Sequence, residues 1–387
     1  MLKLFGRRYE NGEPVRITVE GDRIAAVEPA WPTGNVDEWP FVAPGLFDLQ
    51  INGHGGTWFG KEGITPEEVL AVLERHFRFG VTRLCPTVIT NSSEALQAAF
   101  AALRQACERE PWAAHMCPGF HVEGPYISAE DGPRGAHPKE HVRPPDWDEF
   151  ERLQQAAEGR ICLITLAPEL PGAIDFIRRA TASGVTVAIG HTAATGYEIA
   201  DAIDAGARLS THLGNGAHPM LRRHPNYIWE QLGDPRLSAS VIADGLHLPP
   251  SVLRSIIRAK GVRGVILTCD ASGLAGCSPG VYTEGKMRME VLPDGRIVVA
   301  GQRELLAGSA ADTCRCVVEA MRQGVSRADA IDMAGRNPAR LLGFEEIRLR
   351  PGSRADLFIF RGSESNSLEV QAAIAAGSLR FGTVSSP

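Results

Sequence analysis

Two kinds of hydrophobic pattern succeed one another along this chain. Between residues 15 and 27, apolar and polar positions alternate on either side of Gly21 and Asp22, a combination typical of a β-hairpin. After Pro40, eight short apolar runs follow, most of them separated by segments with helical periodicity. These runs cover residues 46–51, 81–85, 117–123, 161–167, 185–190, 207–212, 237–243 and 264–270. Strands that alternate with helices in this way predict a (β/α)8 barrel.

Helix-start and helix-stop signals lie between the predicted strands. Thr65, Pro66 and Glu68 combine an N-cap, a proline at the first helical position and a glutamate three residues after the cap, and Gly80 ends the segment. Further helices are predicted over residues 92–110, 147–158, 172–183, 197–205, 250–260, 310–322 and 327–335.

Two β segments lie outside the barrel pattern. Residues 286–299 alternate around a Pro-Asp-Gly turn and predict a hairpin inserted after the eighth strand, and residues 356–360 predict a late strand. We expect the late strand to meet the N-terminal hairpin. The predicted fold is therefore α/β: a TIM-type barrel over residues 42–345 and a small discontinuous β-sandwich domain from residues 1–41 and 346–387.

Composition narrows the classes of function. The 387 residues carry 40 Lys and Arg against 46 Asp and Glu, a net charge of −6, and 44% are hydrophobic. No block is rich in Lys and Arg, so we expect no nucleic-acid partner. No apolar stretch is long enough for a membrane span, and none follows the basic residues near the start, so we expect a cytoplasmic protein without a membrane partner. The 8 Cys lack C-x-x-C spacing, which is typical of reduced thiols.

Side chains with catalytic chemistry follow the ends of the predicted strands, where a barrel of this type places its active site. Glu123 ends the third strand, His191 and His212 end the fifth and sixth, and Asp270 ends the eighth. Two imidazoles and one carboxylate that leave a position open are typical of catalytic zinc. Glu123, His191 and His212 therefore predict one divalent metal per subunit, Zn²⁺ foremost, although Fe²⁺ and other divalent ions accept the same ligands.

Asp270 is the predicted proton carrier of this site. Zinc lowers the pKa of a bound water to roughly 7, and a nearby carboxylate can accept that proton and return it to a leaving group. Taken alone, each histidine is more often an ordinary core or surface residue than a metal ligand, and Glu123 is more often a solvated carboxylate. Their joint occurrence at four strand ends favours the metal site. The histidines at positions 76, 115 and 141 lie on helix or loop stretches and are expected at the surface.

Short blocks of sequence surround these residues in a definite order. They are PGLFDLQING at 44–53, HVEGP at 121–125, TLAPE at 165–169, GHT at 190–192, THL at 211–213, IADGLH at 242–247, LAGS at 306–309, NPAR at 337–340 and PGSRADL at 351–357. Over nearly its whole length the chain thereby resembles the amidohydrolase superfamily, and within it the N-acetylglucosamine-6-phosphate deacetylases. The resemblance implies metal-dependent hydrolysis of the N-acetyl group of an amino-sugar 6-phosphate. In that reaction metal-bound hydroxide attacks the acetamide, Asp270 acts as general base and then acid, and His137 polarises the carbonyl.

The resemblance also implies residues on the substrate side. The implied contacts with sugar and phosphate are His247, Asn215, the backbone at Gly216, and Leu306. Arg223 is implied to reach the phosphate in a neighbouring subunit, which predicts a homodimer, and the planar guanidinium suits phosphate recognition.

The chain departs from its family in two places. Gln50 and Asn52 stand where the superfamily often has His-x-His, and strand four ends without a carboxylated lysine, so one metal is expected rather than two. The loop from Gly214 to Met220 lacks the family's aromatic residue and adds His218. This loop leaves open the sugar's stereochemistry and the need for a phosphate. An amidohydrolase of a different N-acyl substrate therefore remains an alternative, as does a non-catalytic sugar-phosphate binding protein, which the intact ligand set and base disfavour.

Overall fold

The structure is a computed structural model that describes residues 1–31, 35–362 and 367–384. It contains an eight-stranded parallel sheet with its helices, a seven-stranded sheet from both ends of the chain, and a four-stranded insertion. Residues 32–34, 363–366 and 385–387 of the expected terminal domain lie outside the described residues.

Strands are numbered in chain order. The N-terminal segment contributes β1 (Leu2–Arg8), β2 (Pro14–Glu20), β3 (Arg23–Pro29) and β4 (Phe41–Pro44). The next segment contributes β5 (Leu46–Ile51), β6 (Gly53–His54), β7 (Thr57–Trp58), β8 (Val81–Ile89), β9 (Phe120–Glu123), β10 (Ile161–Leu166), β11 (Thr186–Ile189), β12 (Leu209–Ser210), β13 (Ser238–Ile242) and β14 (Val265–Thr268). The last segments contribute β15 (Gly280–Glu284), β16 (Met287–Val291), β17 (Ile297–Val299), β18 (Gln302–Leu306), β19 (Leu357–Arg361), β20 (Glu369–Ala375) and β21 (Ser378–Gly382).

Helices are numbered in the same way. They are α1 (Pro66–His76), α2 (Ser93–Arg109), α3 (Pro111–Met116), α4 (Trp147–Ala156), α5 (Ala173–Ala182), α6 (Gly196–Ala205), α7 (Tyr227–Gly233), α8 (Pro250–Gly264), α9 (Thr313–Arg322), α10 (Arg327–Met333) and α11 (Arg336–Leu341). The predicted start of α1 is confirmed, because the Thr65 hydroxyl accepts from the Glu68 N–H and the Glu68 carboxylate accepts from the Thr65 N–H. Among the described residues, no helix is long and apolar enough to cross a membrane.

The eight predicted apolar runs are the eight strands of a nearly closed parallel barrel. Its order is β5, β8, β9, β10, β11, β12, β13, β14, and a bridge from Ile51 to Ala271 joins the two ends. The buried carboxylate of Asp48 strengthens this seam, since it accepts hydrogen bonds from the Cys269 N–H (2.9 Å) and the Thr313 hydroxyl (2.8 Å). All carboxyl ends therefore meet at one mouth.

The terminal strands pair as expected, but into a single mixed sheet. Its order is β21, β20, β19, β4, β1, β2, β3. The short strand β4 runs parallel to β1 on one side and antiparallel to β19 on the other. Because β4 joins the N-terminal and C-terminal strands edge to edge, both groups belong to one continuous sheet.

The insertion is larger than the predicted hairpin. It is an antiparallel meander in the order β15, β16, β17, β18, and only its central strands match the predicted 286–299 segment. The outer strands β15 and β18 are mostly exposed, so they lack the hydrophobic alternation that marked the central pair. The apolar face of the meander, including Met289 and Ile297, packs against Trp58.

One prediction about a histidine is wrong. His76, expected at the surface, is buried on the inner face of α1, with its ring against those of His54 and Phe79. Burial, together with the nearby charges of His54 and Arg75, lowers the pKa of His76 to about 3. The helical period placed this residue on the same face as Val69, Val72 and Leu73, and that signal outweighs the polarity of an imidazole.

Candidate active site

Four predicted residues come together at the mouth of the barrel. Glu123 is the last residue of β9, and His191, His212 and Asp270 each follow the last residue of β11, β12 and β14 by two positions. The Nε2 atoms of His191 and His212 lie 3.2 and 3.0 Å from Glu123 Oε1, and 3.1 Å from each other. All three side chains are buried. The strand ends thus converge on a single point.

The backbone at three of these positions is left-handed. The φ angles are +51° at His191, +29° at His212 and +49° at Asp270. Such conformations cost on the order of 1 kcal/mol or more for residues other than glycine, and persist only where the surroundings hold them. Here hydrogen bonds fix the peptides, for example from the His212 N–H to Ser240 Oγ (2.8 Å) and from the Ser309 N–H to the Asp270 carbonyl (2.9 Å). The turns end each strand abruptly and set the side chains at the mouth.

The donor set fits one divalent metal ion. Donor atoms that each lie about 2 Å from a shared tetrahedral ion are about 3.3 Å apart, close to the separations seen here. His191 Nδ1 lies 2.8 Å from the Pro133 carbonyl, so its N–H donates there and its Nε2 keeps a free lone pair. Burial by itself raises the pKa of Glu123, but hydrogen bonds and charge from His191 and His212 outweigh burial and hold that pKa well below its ordinary value.

Gln50 and Asn52 support the two carboxylates of the site. Gln50 Nε2 donates to Glu123 Oε1 (2.8 Å), and Asn52 Nδ2 donates to Asp270 Oδ1 (2.7 Å). Sequence reasoning noted these residues only as missing metal ligands. Their spacing of two carried the signal, because alternate residues of a strand face the same side.

Asp270 is buried and carries an elevated pKa. Burial, followed by the negative charge of Glu123, raises its pKa to about 8, although the hydrogen bond from Asn52 acts in the opposite direction. A carboxyl group in this environment holds a proton readily, which suits a group that must accept a proton and then release it.

His137 lies beside the cluster with a neutral ring. Burial, followed by the charge of His191, lowers its pKa to about 3. Its Nδ1 lies 2.8 Å from Thr90 Oγ1, and its Nε2 lies 4.0 Å from Glu123 Oε2. If the Thr90 hydroxyl donates to Nδ1, the Nε2–H is free to donate into the cavity. Gly124 makes room for this pair, since a Cβ at its φ of +75° would lie 2.2 Å from Thr90 Oγ1.

A cavity of about 1160 Å³ opens above the cluster. The predicted residues that line it are Glu123, His137, His191, His212, Asn215, Gly216, His247, Asp270 and Leu306. The insertion supplies one wall through residues 301–308 and Met289, and Trp58 lines the cavity as well. The insertion therefore forms part of the pocket wall, a role that the sequence alone did not predict.

Asp244, which the sequence analysis gave no role, holds the side chain and backbone of His247. Asp244 Oδ2 accepts from His247 Nδ1 (2.7 Å), its Oδ1 accepts from the His247 N–H (2.8 Å), and the Ser309 hydroxyl donates to Oδ2 (3.1 Å). Burial opposes ionisation, but the hydrogen bond and charge of His247 dominate and lower the pKa of Asp244 to about 2. Asp244 therefore fixes the ring of His247 so that its other nitrogen is left for the cavity.

The unusual loop after β12 is anchored away from the cavity. Asn215 and Gly216 line the cavity, while the His218 N–H donates to the Tyr227 hydroxyl (2.8 Å) and the His218 ring lies 3.0 Å from a Glu130 carboxylate oxygen. The extra histidine thus ties this loop to the loop that carries His137. Arg223 is exposed and does not line the cavity of its own chain.

Comparison with known proteins agrees with this geometry. The model of the amidohydrolase family matches residues 41–383, most of the chain. The chain belongs to the amidohydrolase family. This amidohydrolase is 34% identical over 351 residues to N-acetylglucosamine-6-phosphate deacetylase of Homo sapiens, covering 87% of this chain and 83% of that protein. It is 31% identical over 341 residues to N-acetylgalactosamine-6-phosphate deacetylase of Escherichia coli O157:H7, covering 86% and 87%.

Solved structures extend the likeness to three dimensions. The crystal structure of N-acetyl-D-glucosamine-6-phosphate deacetylase from Mycobacterium smegmatis is 33% identical, with a TM-score of 0.83 and 95% of each chain covered. A mutant of that protein in complex with N-acetyl-D-glucosamine-6-phosphate has a TM-score of 0.84, 32% identity, and coverage of 95% and 94%. This amidohydrolase is therefore an enzyme of the deacetylase branch of its family.

Proposed function

We propose that this amidohydrolase removes the acetyl group from N-acetylglucosamine 6-phosphate, giving glucosamine 6-phosphate and acetate. The observation that carries the proposal is the buried cluster of Glu123, His191 and His212 at the base of a cavity that Asp270 also lines. The relatives named for this reaction support the choice of substrate.

Glu123, His191 and His212 are the residues that would hold the metal, with Zn²⁺ as the first candidate. When bound there, a divalent ion supplies a Lewis acid that polarises a carbonyl oxygen and makes water more acidic. Gln50 steadies this set through Glu123.

Asp270 carries the proton through the reaction. The oxygen of water adds to the acetamide carbon, and the proton it loses passes to Asp270. Asn52 occupies Oδ1, so Oδ2 is the atom left for that proton. The same proton then passes to the sugar nitrogen as the carbon–nitrogen bond breaks, which releases acetate and the free amine.

His137 and the substrate-side residues orient the amide. The Nε2–H of a neutral His137 would donate to the acetamide oxygen as negative charge develops on it. His247, Asn215 and the backbone of Gly216 would contact the sugar and its phosphate, with Leu306 against the sugar.

The direct test is acetate release. Purified protein, stripped with a chelator and reloaded with Zn²⁺, is assayed with N-acetylglucosamine 6-phosphate, its galactosamine epimer and unphosphorylated N-acetylglucosamine. We expect acetate from the first compound and none from the stripped protein. Metal-loaded protein that releases no acetate from any of the three would refute the proposal.

Two observations favour alternative substrates, and the same panel examines them. A relative named for the galactosamine compound is nearly as similar as those named for the glucosamine compound, so faster turnover of the epimer would change the sugar. The loop from Gly214 to Met220 lacks an aromatic residue. Equal turnover with and without the phosphate would therefore indicate a different N-acyl substrate.

We further propose that the active form is a homodimer in which Arg223 reaches the neighbouring site. Arg223 is exposed, and so are the nearby apolar residues Met220, Leu221 and Trp229, which a second copy would cover. The Arg223→Ala and Asp270→Asn variants, each inactive alone, are mixed and allowed to exchange subunits. Random exchange gives about a quarter of the sites both groups, so about a quarter of wild-type activity is expected. No recovery from exchanged dimers would place Arg223 outside the neighbouring site.

A further inference from the structure

A second cavity lies at the end of the barrel opposite the catalytic mouth. Its volume is about 420 Å³, within the range of about 300 to 1,000 Å³ that small-molecule sites occupy. It is lined by residues at the starts of strands β11, β12 and β13, together with α11 and the segment that ends α8. The same strands carry the catalytic residues at their other ends, so this cavity is separate from the site described above.

The lining of this cavity is basic. Four arginines surround it: Arg208, Arg236, Arg263 and Arg340. Hydroxyl groups of Thr181, Thr186 and Ser238 complete a set of hydrogen-bond donors, and none of the described lining residues is acidic. A concentration of guanidinium groups is unexpected in a chain whose net charge is −6.

Two of the four guanidinium groups are not neutralised by a carboxylate. Arg236 pairs with Asp204 and Asp234, and Arg340 pairs with Glu346. In the part of the chain that the structure describes, Arg208 and Arg263 have no such partner. Two positive charges therefore remain available to a ligand.

Several of these groups are held in place before any ligand binds. Arg208 Nη1 donates to the carbonyl of Ile203 in the last turn of α6 (2.9 Å) and to that of Ala207 just after the helix (2.7 Å), which leaves its other nitrogens to a ligand. Asn337 Oδ1 accepts from Arg340 (3.1 Å), and Asn337 Nδ2 donates to the carbonyls of Val262 and Val265. Those two carbonyls flank Arg263 in the chain. Preorganised guanidinium forks are suited to bidentate binding of phosphate oxygens.

We infer that this cavity is a second binding site, specific for a small phosphorylated metabolite. Arg208 and Arg263 are the main phosphate ligands, and the hydroxyls of Thr186 and Ser238 accompany them. Val185 and Leu341, which also line the cavity, give the non-phosphate part of such a ligand an apolar surface. The site goes beyond the proposed deacetylation and does not depend on it.

Titration calorimetry with inorganic pyrophosphate tests the inference on the full-length, metal-loaded protein. We expect the wild type to bind one more pyrophosphate than the Arg208→Gln/Arg263→Gln variant, or to bind it at least about tenfold more tightly at this site. The matched control is Arg178→Gln, an exposed arginine of α5 paired with Asp175 and outside the cavity. It should bind as the wild type does.

Arg208 caps α6, so its replacement alone could disturb the fold. The Arg263→Gln variant removes an exposed side chain and should by itself weaken pyrophosphate binding several-fold, about threefold or more, without moving the melting temperature. Crystals soaked in tungstate should show an anomalous peak between Arg208 and Arg263. Identical isotherms for wild type and double variant would overturn the inference, as would a tungstate peak at crystal concentration with no binding in solution.

Discussion

The two ends of this barrel differ in how far their charged side chains are removed from water. At the mouth, Glu123 and Asp270 are buried and their pKa values move away from ordinary values in opposite directions. At the opposite end, Arg208 and Arg263 are exposed to water. Between the ends, an apolar layer that includes Leu49, Leu163 and Leu209 fills the barrel.

This difference in exposure explains why proton transfer belongs to the mouth of the barrel. Removing water strengthens electrostatic interactions and separates the pKa values of neighbouring groups. At the mouth, burial coincides with left-handed backbone at His191, His212 and Asp270. The opposite end keeps its charges in contact with water, which suits binding but not proton transfer. Substitutions at the mouth should therefore change catalysis and binding, whereas a substitution at the opposite end should leave catalysis unaltered.

Asp270→Asn should have the largest effect, because it removes the proton carrier and keeps the shape of the side chain. We expect kcat to fall by about 100-fold to 10,000-fold, with the metal content unchanged. Acetate release and elemental analysis measure the two quantities. Asp294→Asn, in the exposed turn between β16 and β17, is the control and should retain full activity. A loss of metal together with activity would give Asp270 a ligand role instead.

Gln50→Ala should have the next largest effect. The variant removes the hydrogen bond to Glu123 Oε1, and loss of such a supporting partner typically costs about 10-fold to 100-fold in metal affinity or activity. Competition with a chelating dye measures the affinity. Gln302→Ala, on the exposed wall strand β18, should bind metal as the wild type does. Unchanged affinity in Gln50→Ala would show that Glu123 holds its position without this contact.

His218→Ala should have a moderate effect confined to substrate binding. It releases the loop of Asn215 and Gly216 from Tyr227 and Glu130, so we expect KM to rise several-fold, about three to ten times, with little change in kcat. Steady-state kinetics separates the two constants, and Tyr227→Phe should reproduce part of the change. An equal fall in kcat would assign His218 to the reaction itself.

Asn337→Ala, at the opposite end, should change stability and leave catalysis unaltered. The buried amide of Asn337 donates to the carbonyls of Val262 and Val265. Leaving the Val265 carbonyl, which is buried, and the Val262 carbonyl, which is partly buried, without this donor should lower the free energy of unfolding by about 1 to 3 kcal/mol. Urea titration measures this value, and Asn11→Ala, in an exposed turn, should change it little. A changed kcat in Asn337→Ala would show that the two ends are coupled.

Much of this molecule could be predicted because its signals are local. The period of the apolar runs indicated every barrel strand, and the capping box at Thr65 indicated the start of α1. The outer strands of the insertion could not be predicted in the same way, because β15 and β18 are exposed and no buried face imposes a pattern on them. The burial of His76 was missed because its polarity was given more weight than its place in the helical period.

The sequence by itself determined which residues end the strands, and therefore that Glu123, His191, His212 and Asp270 lie at one mouth. Only the tertiary structure decided how those residues are held. Gln50 meets Glu123 across 73 positions of sequence, and Asn52 meets Asp270 across 218. The left-handed turns at the strand ends likewise depend on hydrogen bonds from neighbouring loops. Hydrophobic periodicity is a property of adjacent residues, whereas distances, burial and pKa values arise only when distant segments exclude water from the same space.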